Sequence, residues 1–127
     1  MGMFSNGFRT NKSASNRRAH YRVDYPAHDR PVFTAGALRG AVADCSETGV
    51  RVLFPAGLPA DASIQSGDRM SGVVRFVRGE TAEVEGVVAR YDARTLVLRL
   101  DAAKLPFGQI IKEQLWLRSR YPWRDGK

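Results

Sequence analysis

The sequence has little of what disulfide frameworks, metal sites and membrane spans require. Among 127 residues there is one cysteine, Cys45, and there are two histidines, His20 and His28. A single cysteine excludes an internal disulfide, and these residues lack the partners at ligand spacing that a structural zinc site needs. No apolar run approaches the roughly 20 residues that cross a bilayer. We therefore expect no metal, no membrane insertion and a reducing, cytoplasmic location.

The length and the apolar content indicate one folded domain. The chain is 43% hydrophobic, which is enough for one ordinary core, whereas two domains of half this length would each bury too little apolar surface. Residues 1–16 are rich in Ser, Asn, Gly and Lys and cannot offset the entropy of ordering. We predict a flexible basic tail at 1–16, a domain at 17–121 and a short tail at 122–127.

Positive charge is concentrated at the two ends of the chain. The formal net charge is +7; residues 1–30 and residues 104–127 each carry six Lys or Arg against two acids, whereas residues 31–103 carry eight Arg against nine acids. A basic arm favours an anionic partner, such as nucleic acid, a phosphate-bearing nucleotide or an acidic protein surface, although many basic tails are only solvated. Charge alone leaves these alternatives open.

Short β-prone runs, separated by turn residues, make up most of the remaining chain. They predict six strands, at residues 30–34, 37–43, 49–54, 70–78, 81–91 and 95–100. In the last run Leu96, Leu98 and Leu100 share one face, which suits the wall of a barrel with one buried side. The fold class is mainly β, a six-stranded antiparallel barrel.

The pattern becomes helical after Pro106. Phe107, Ile111 and Leu115 recur every four residues, and Ile110 and Leu117 join them, which predicts one amphipathic C-terminal helix. We expect nearby aromatic side chains to pack this helix onto the barrel, namely Trp116, Tyr121 and Trp123.

An arginine motif lies where the tail meets the first strand. Arg18 and Arg22 have Arg-x-x-x-Arg spacing, and Arg17 precedes them. Taken alone this spacing is weak, because a chain rich in arginine produces it by chance.

A second motif lies between two predicted strands. Asp44, Ser46 and Gly49 form Asp-x-Ser-x-x-Gly, which is more selective. The pattern predicts a tight turn with free side-chain oxygens and a glycine in a backbone conformation closed to other residues. Taken alone it favours an ordinary Asx or Ser turn that caps a hairpin over a binding motif.

The two motifs in this order, about two strands apart, resemble the PilZ family of cyclic di-GMP receptors over most of residues 17–121. The resemblance implies a six-stranded barrel with a C-terminal helix, a flexible arm, no cofactor and no enzymatic activity. It implies that cyclic di-GMP is bound by Arg17, Arg18, Arg22, Asp44, Ser46 and Gly49. It also implies that Arg17 favours a stacked pair of ligands, and that an effector protein in motility, biofilm or exopolysaccharide control is the partner.

The residue types suit that ligand. A guanidinium group pairs bidentately with phosphate or with guanine O6 and N7, and it also stacks on the ring. The carboxylate of Asp44 can accept from guanine N1 and N2, Ser46 can donate or accept, and Gly49 allows close approach. Ordering of the arm on binding would then change the surface that a partner meets.

Several alternatives stay open at this stage. A nucleic-acid-binding barrel could use the basic ends, and a PilZ-type adaptor without ligand could act through protein contacts alone. Cys45 has no evident catalytic partners, so we expect no enzyme. Arg51, Arg90 and Arg99 are further ligand candidates by charge alone, and nothing in their spacing selects them. The oligomeric state, a monomer or a ligand-influenced dimer, is not encoded in any pattern.

Overall fold

A computed structural model of the chain describes residues 21–59 and 62–122. The strands in these ranges are β1 (Val23–Asp24), β2 (Val32–Ala35), β3 (Leu38–Ser46), β4 (Gly49–Leu53), β5 (Arg69–Arg75), β6 (Thr81–Tyr91) and β7 (Thr95–Ala103). A 3-10 turn at Ala27–Asp29 follows β1, and the helix α1 spans Phe107–Arg120. The tail predicted at 1–16 and all but the first residue of the tail predicted at 122–127 lie outside the described residues, so both stay predictions.

Six of these strands close into an antiparallel barrel. Around the barrel the order is β3, β2, β5, β6, β7 and β4, and β4 pairs with β3 to complete the circle. The short strand β1 pairs with Asp44 and Cys45, on the same edge of β3 whose first half pairs with β2. The predicted six-stranded barrel with a C-terminal helix is confirmed. The two residues of β1 were not predicted, because a run so short has no measurable period.

The predicted alternation separates the inside of the barrel from its outside. Leu96, Leu98 and Leu100 of β7 are at most 3% exposed, and Val50 and Val52 of β4, which pair with β7, are at most 1% exposed. Burial of such side chains stabilises the fold by about 25 cal/mol per Å² of apolar surface. The residues between them in sequence therefore face outwards.

A β-bulge in β3 reverses this alternation at the second motif. Val42 pairs with Val52 and Asp44 pairs with Arg51, so Ala43 is an extra residue on the β3 side. A bulge of this kind re-aims the side chains that follow it. Asp44 consequently shares the outer face with Arg51, while the next residue of β3 returns to the core.

A second bulge acts in the same way in β6. Val88 pairs with Leu98 and Arg90 pairs with Val97, so Ala89 is the extra residue. Strict alternation from Val88 would place Arg90 on the inner side. The bulge places it on the outer side instead, beside the strand that carries Val97.

The helix α1 buries only part of the predicted face. Ile110 and Leu117 are buried as expected, whereas Phe107 and Leu115 are 43% and 55% exposed. The third buried side chain of α1 is Glu113, a residue type that the apolar pattern assigns to the surface. Its burial is compensated by a hydrogen bond of 2.6 Å from the hydroxyl of Tyr25.

The aromatic residues near the end of α1 fall partly within the described residues. Trp116 and Tyr121 are partly buried against the core, as expected, whereas Trp123 lies outside the described residues. None of the helices in the described ranges is long and apolar enough to cross a membrane.

Candidate ligand-binding site

Asp44 is a buried carboxylate under the outer surface of β3 and β4. Its Oδ1 accepts a hydrogen bond from Arg22 Nη2 at 2.6 Å, and its Oδ2 accepts one from Arg51 Nε at 2.7 Å. The side chain of Asp44 is 4% exposed, whereas those of Arg22 and Arg51 are 51% and 43% exposed. The prediction that Asp44 lies in a tight turn with free side-chain oxygens is therefore wrong. Asp44 lies in β3 and holds two arginines whose outer sides remain accessible.

The helix fixes the segment that carries Arg22. Gln114 Nε2 donates to the carbonyl oxygen of Arg22 at 3.1 Å, and the ring of Tyr21 packs edge-on against Phe107 with the centroids 4.9 Å apart. These contacts join α1 directly to the arginine of the first motif. A movement of Arg22 would therefore change the contacts of α1.

A buried hydrogen-bond cluster fixes the next residues of the same segment. Tyr25 donates to Glu113 Oε1, and Gln109 Nε2 donates to Glu113 Oε2 at 3.3 Å. Burial, together with Cys45 and Glu113, raises the pKa of Tyr25, so the hydroxyl stays protonated and remains a donor. Arg78 Nη2 lies 3.6 Å from Glu113 and partly balances its charge. The hydroxyl of Tyr25, just after β1, and the carboxylate of Glu113 in α1 therefore both have hydrogen-bond partners.

The hairpin turn between β3 and β4 carries the other two residues of the second motif. Ser46 pairs with Gly49, and the N–H of Thr48 donates to Ser46 Oγ at 3.4 Å. The carbonyl of Thr48 accepts from the N–H of Leu100 at 2.8 Å, which fixes the turn on β7.

The backbone of Gly49 is not in the left-handed region, so the predicted need for a special conformation there is wrong. A Cβ built at Gly49 would meet no atom closer than 3.7 Å. Gly49 pairs with Arg99, and both residues line the same pocket. The absence of a side chain at Gly49 keeps this part of the pocket lining low, whereas the turn itself does not require glycine there.

An open pocket of about 530 Å³ lies over this surface. Arg51 and Arg90 flank Val97, because each pairs with it from a neighbouring strand. Arg99, two residues further along β7, also lines the pocket, as does Arg22. We call this outer surface of β4, β6 and β7, with Asp44 beneath its edge, the Asp44 wall. A concave site of this size with several guanidinium groups suits a small anionic ligand.

The structure brings together most of the predicted site residues that it describes. Arg22, Ser46 and Gly49 line the pocket, and Asp44 holds Arg22 from beneath. Arg17 and Arg18 lie outside the described residues. The polar lining residues that the sequence did not select are Thr48, Arg51, Arg90 and Arg99.

Arg51, one of these four lining residues, could have been predicted from the sequence. Arg51 lies two residues after the motif glycine, and a two-residue hairpin places such a residue near the motif aspartate across the strands. Arg90 and Arg99 come from distant strands, and no spacing links them to the motifs.

These features define a small closed barrel whose outer wall presents several guanidinium groups to one pocket. Residues 16–111 match the PilZ domain, so the chain belongs to the PilZ domain family. Among solved structures it is similar to the Bacillus subtilis inhibitor of motility (MotI/DgrA), with 20% sequence identity and a TM-score of 0.55. The match covers 74% of this chain and 49% of that one, so this chain spans about half of its length, and the likeness concerns the fold. No curated protein matches the chain.

Proposed function

We propose that the protein is a cytoplasmic, non-enzymatic receptor that binds cyclic di-GMP on the Asp44 wall and changes its surface towards an effector protein. The observation that carries the proposal is the convergence of Arg22, Arg51, Arg90 and Arg99 on one pocket beside the hairpin of the second motif. Membership of the PilZ family supports this choice of ligand over other anions.

The geometry fits the two kinds of group that this ligand carries. Cyclic di-GMP has two phosphates and two guanines, and guanidinium groups can pair with the phosphates, bind guanine O6 and N7, or stack on the bases. Ser46 and Thr48 add hydroxyl groups at the rim of the pocket. Arg17 and Arg18 would complete the set from the arm.

The proposed role of Asp44 differs from the role expected from the sequence. With 4% of its side chain exposed and both oxygens bonded to arginine, Asp44 is poorly placed to read guanine directly. We assign it a positioning role, in which it holds Arg22 and Arg51 in orientations that a ligand can use without further ordering cost.

The contacts of Arg22 suggest how occupancy reaches the surface. A ligand phosphate that pairs with the accessible side of the Arg22 guanidinium, while Asp44 holds its other side, fixes the segment whose carbonyl oxygen at Arg22 accepts from Gln114 of α1. The helix then reports occupancy to an effector. The similar Bacillus subtilis protein is named an inhibitor of motility, which supports motility control as the setting, alongside biofilm or exopolysaccharide control.

Isothermal titration of cyclic di-GMP into the purified protein tests the proposal. We expect saturable binding that weakens about tenfold or more in Arg51→Ala and in Arg99→Ala, because each removes a charge-assisted contact. Arg69→Ala is the matched control, since Arg69 is similarly exposed but pairs with Asp101 and Glu85 outside the pocket. The titration also measures the stoichiometry, which distinguishes one bound ligand from a stacked pair.

Two different results would contradict the proposed function. A folded wild-type protein that gives neither heat nor competition with cyclic di-GMP would refute the receptor. Tighter binding of a single-stranded oligonucleotide, with a steep dependence on salt and no loss in Asp44→Ala, would favour the nucleic-acid alternative.

A further inference from the structure

A second basic pocket lies on the opposite side of the barrel. It has a volume of about 680 Å³ and is formed over β2 and its two neighbours, β3 and β5. In the circular strand order β2 and β5 lie opposite β7 and β4. We call this surface the β2 wall. Its arginine lining residues are Arg30, Arg39 and Arg75, His28 lies beside them, and no acidic residue lines it within the described part of the chain.

The strand register explains why these side chains meet. Arg39 of β3 pairs with Thr34 of β2, and Arg75 of β5 pairs with Val32 of β2. The two arginines therefore stand on either side of β2, roughly 10 Å apart at the backbone, which is two strand spacings. Both face solvent, and long side chains on that spacing can reach one ligand lying along β2.

These arginines have no ion-pair partner among the described residues. Neither Arg39 nor Arg75 takes part in a salt bridge there, in contrast to Arg22, Arg51 and Arg69. The Nε of Arg30 is buried and has no hydrogen-bond partner among the described residues. Because that atom is shielded from solvent, the positive charge that a ligand can reach comes from Arg39 and Arg75, which are exposed.

Three carboxylates close in sequence or strand register to the pocket do not line it. Asp29 stands between His28 and Arg30 in sequence, yet its carboxylate accepts hydrogen bonds from Arg120 Nε, at 2.7 Å, and from the Tyr121 hydroxyl. Glu80 Oε2 accepts from Lys112 Nζ at 3.1 Å, whereas Glu80 Oε1 is buried without a hydrogen-bond partner among the described residues. Glu83 lines the neighbouring groove. The described lining of the pocket therefore carries positive charge only.

We propose that the β2 wall is a second anion site, which binds a small molecule that carries a chain of phosphate groups. The guanidinium groups and the hydroxyls of Thr34 and Thr81 are donors, and no lining carboxylate is present to accept from a base. The ligand should therefore be rich in acceptors, as an oligophosphate is. The concave shape and the volume are those of a small-molecule site, whereas a nucleic-acid surface is an extended basic stripe.

Titration of tripolyphosphate and of GTP into ¹⁵N-labelled protein, followed by NMR, tests the site. We expect saturable shifts confined to β2, the first half of β3 and the end of β5. Arg39→Ala and Arg75→Ala should each weaken binding about tenfold, the size expected for one charge-assisted contact. Equal affinities for the two probes identify phosphate as the whole determinant, and tighter binding of GTP shows that the base contributes to the same site.

Three further variants keep the test specific. Arg69→Ala removes an exposed arginine of the same strand that is already paired, so it should leave the affinity unchanged. Glu83→Gln should tighten binding a few-fold, because Glu83 pairs with Val73 of the pocket and repels the anion. Arg51→Ala should leave these shifts intact while it weakens cyclic di-GMP, which separates this site from the Asp44 wall.

Three results would overturn the second site. Shifts that do not saturate or that spread over all basic surfaces would indicate an ordinary solvated patch. An effect of Arg69→Ala as large as that of Arg75→Ala would point to net charge alone. Binding of duplex DNA, tighter than tripolyphosphate and lost in the same variants, would replace the small ligand with nucleic acid.

Discussion

The Asp44 wall and the β2 wall both present arginines to an open pocket, but among the described residues only the first has a carboxylate bonded to them. On the Asp44 wall a buried aspartate bonds Arg22 and Arg51, so these two guanidinium groups are oriented. On the β2 wall Arg39 and Arg75 have no such partner among the described residues and keep their rotamer freedom. The same residue type is fixed in one pocket and adaptable in the other.

This difference has consequences for selectivity. Fixed arginines cost little entropy on binding and can select the shape of a ligand, whereas adaptable arginines respond mainly to charge. The carboxylate also lowers the net charge of its wall. We therefore expect the Asp44 wall to discriminate between nucleotides and the β2 wall to respond to the number of phosphates and to salt.

The largest expected effect comes from Asp44→Ala, which removes the difference between the walls. Cyclic di-GMP binding should fall roughly a hundredfold, because two arginines lose their orientation at once. The free energy of unfolding should fall by about 2 kcal/mol, a value kept low because the arginines are half exposed and can be rehydrated. Titration and urea unfolding measure the two effects.

The control for this variant is Asp101→Ala, which breaks the exposed ion pair with Arg69. Both the affinity and the stability should stay near the wild-type values there. If Asp44→Ala retained wild-type affinity, orientation by the carboxylate would have no role in the site.

The second effect comes from adding a carboxylate to the β2 wall. Thr34→Asp places an acid directly opposite Arg39, in the register that Asp44 has with Arg51. Tripolyphosphate binding should weaken about tenfold or more, since the new charge both occupies Arg39 and repels the anion. Thr34→Asn is the uncharged control of similar size. An equal loss in both variants would mean that shape, and not charge, sets the affinity.

Much of the barrel was predictable, because its core obeys simple periods. The runs that contain Val50 and Val52, and Leu96 and Leu98, alternate and are buried as expected. The helix and the burial of Ile110 and Leu117 were predicted, but the burial of Glu113 was not. The hydrogen bond between Tyr25 and Glu113 spans 88 residues of sequence, and no local pattern reveals it.

The composition of the Asp44 wall was less predictable for a related reason. Both bulges shift the alternation by one residue. Asp44 and Arg90 therefore face outwards, whereas a strict period of two would place them on the inner side of the barrel. A bulge is a feature of pairing between strands, and one strand alone does not encode it. The second motif located the Asp44 wall, whereas strand pairing determines that Arg51, Arg90 and Arg99 also lie on it.

A smaller effect concerns Asp29, whose carboxylate accepts from Arg120 and does not line the pocket of the β2 wall. Hydrogen bonds from Tyr121 and Arg120 lower the pKa of Asp29 below its usual value. Because the folded value lies below the unfolded one, this stabilisation is complete above the unfolded pKa and is lost as the pH falls through the folded pKa. Asp29→Asn should therefore destabilise the protein at pH 7 and do so less at pH 3.

Urea unfolding at pH 7, 5 and 3 measures this difference. In the titration with tripolyphosphate, Asp29→Asn should leave the affinity close to that of the wild type, because the carboxylate faces Arg120 and not the pocket. A gain in affinity as large as that of Glu83→Gln would show that Asp29 acts on the β2 wall after all.

The smallest expected signal is the reactivity of Cys45, on the inner side of β3 next to Asp44. Burial raises the pKa of the Cys45 thiol to about 12, and its side chain is in the core, so alkylation at pH 8 requires local opening. Labelling by iodoacetamide, followed by mass spectrometry, should be slow in the wild type. It should be faster in Asp44→Ala and unchanged in Arg75→Ala, because only the Asp44 wall uses a buried carboxylate to hold its strands. Equal acceleration in both variants would mean that opening of β3 does not depend on that carboxylate, and that the walls differ in charge but not in rigidity.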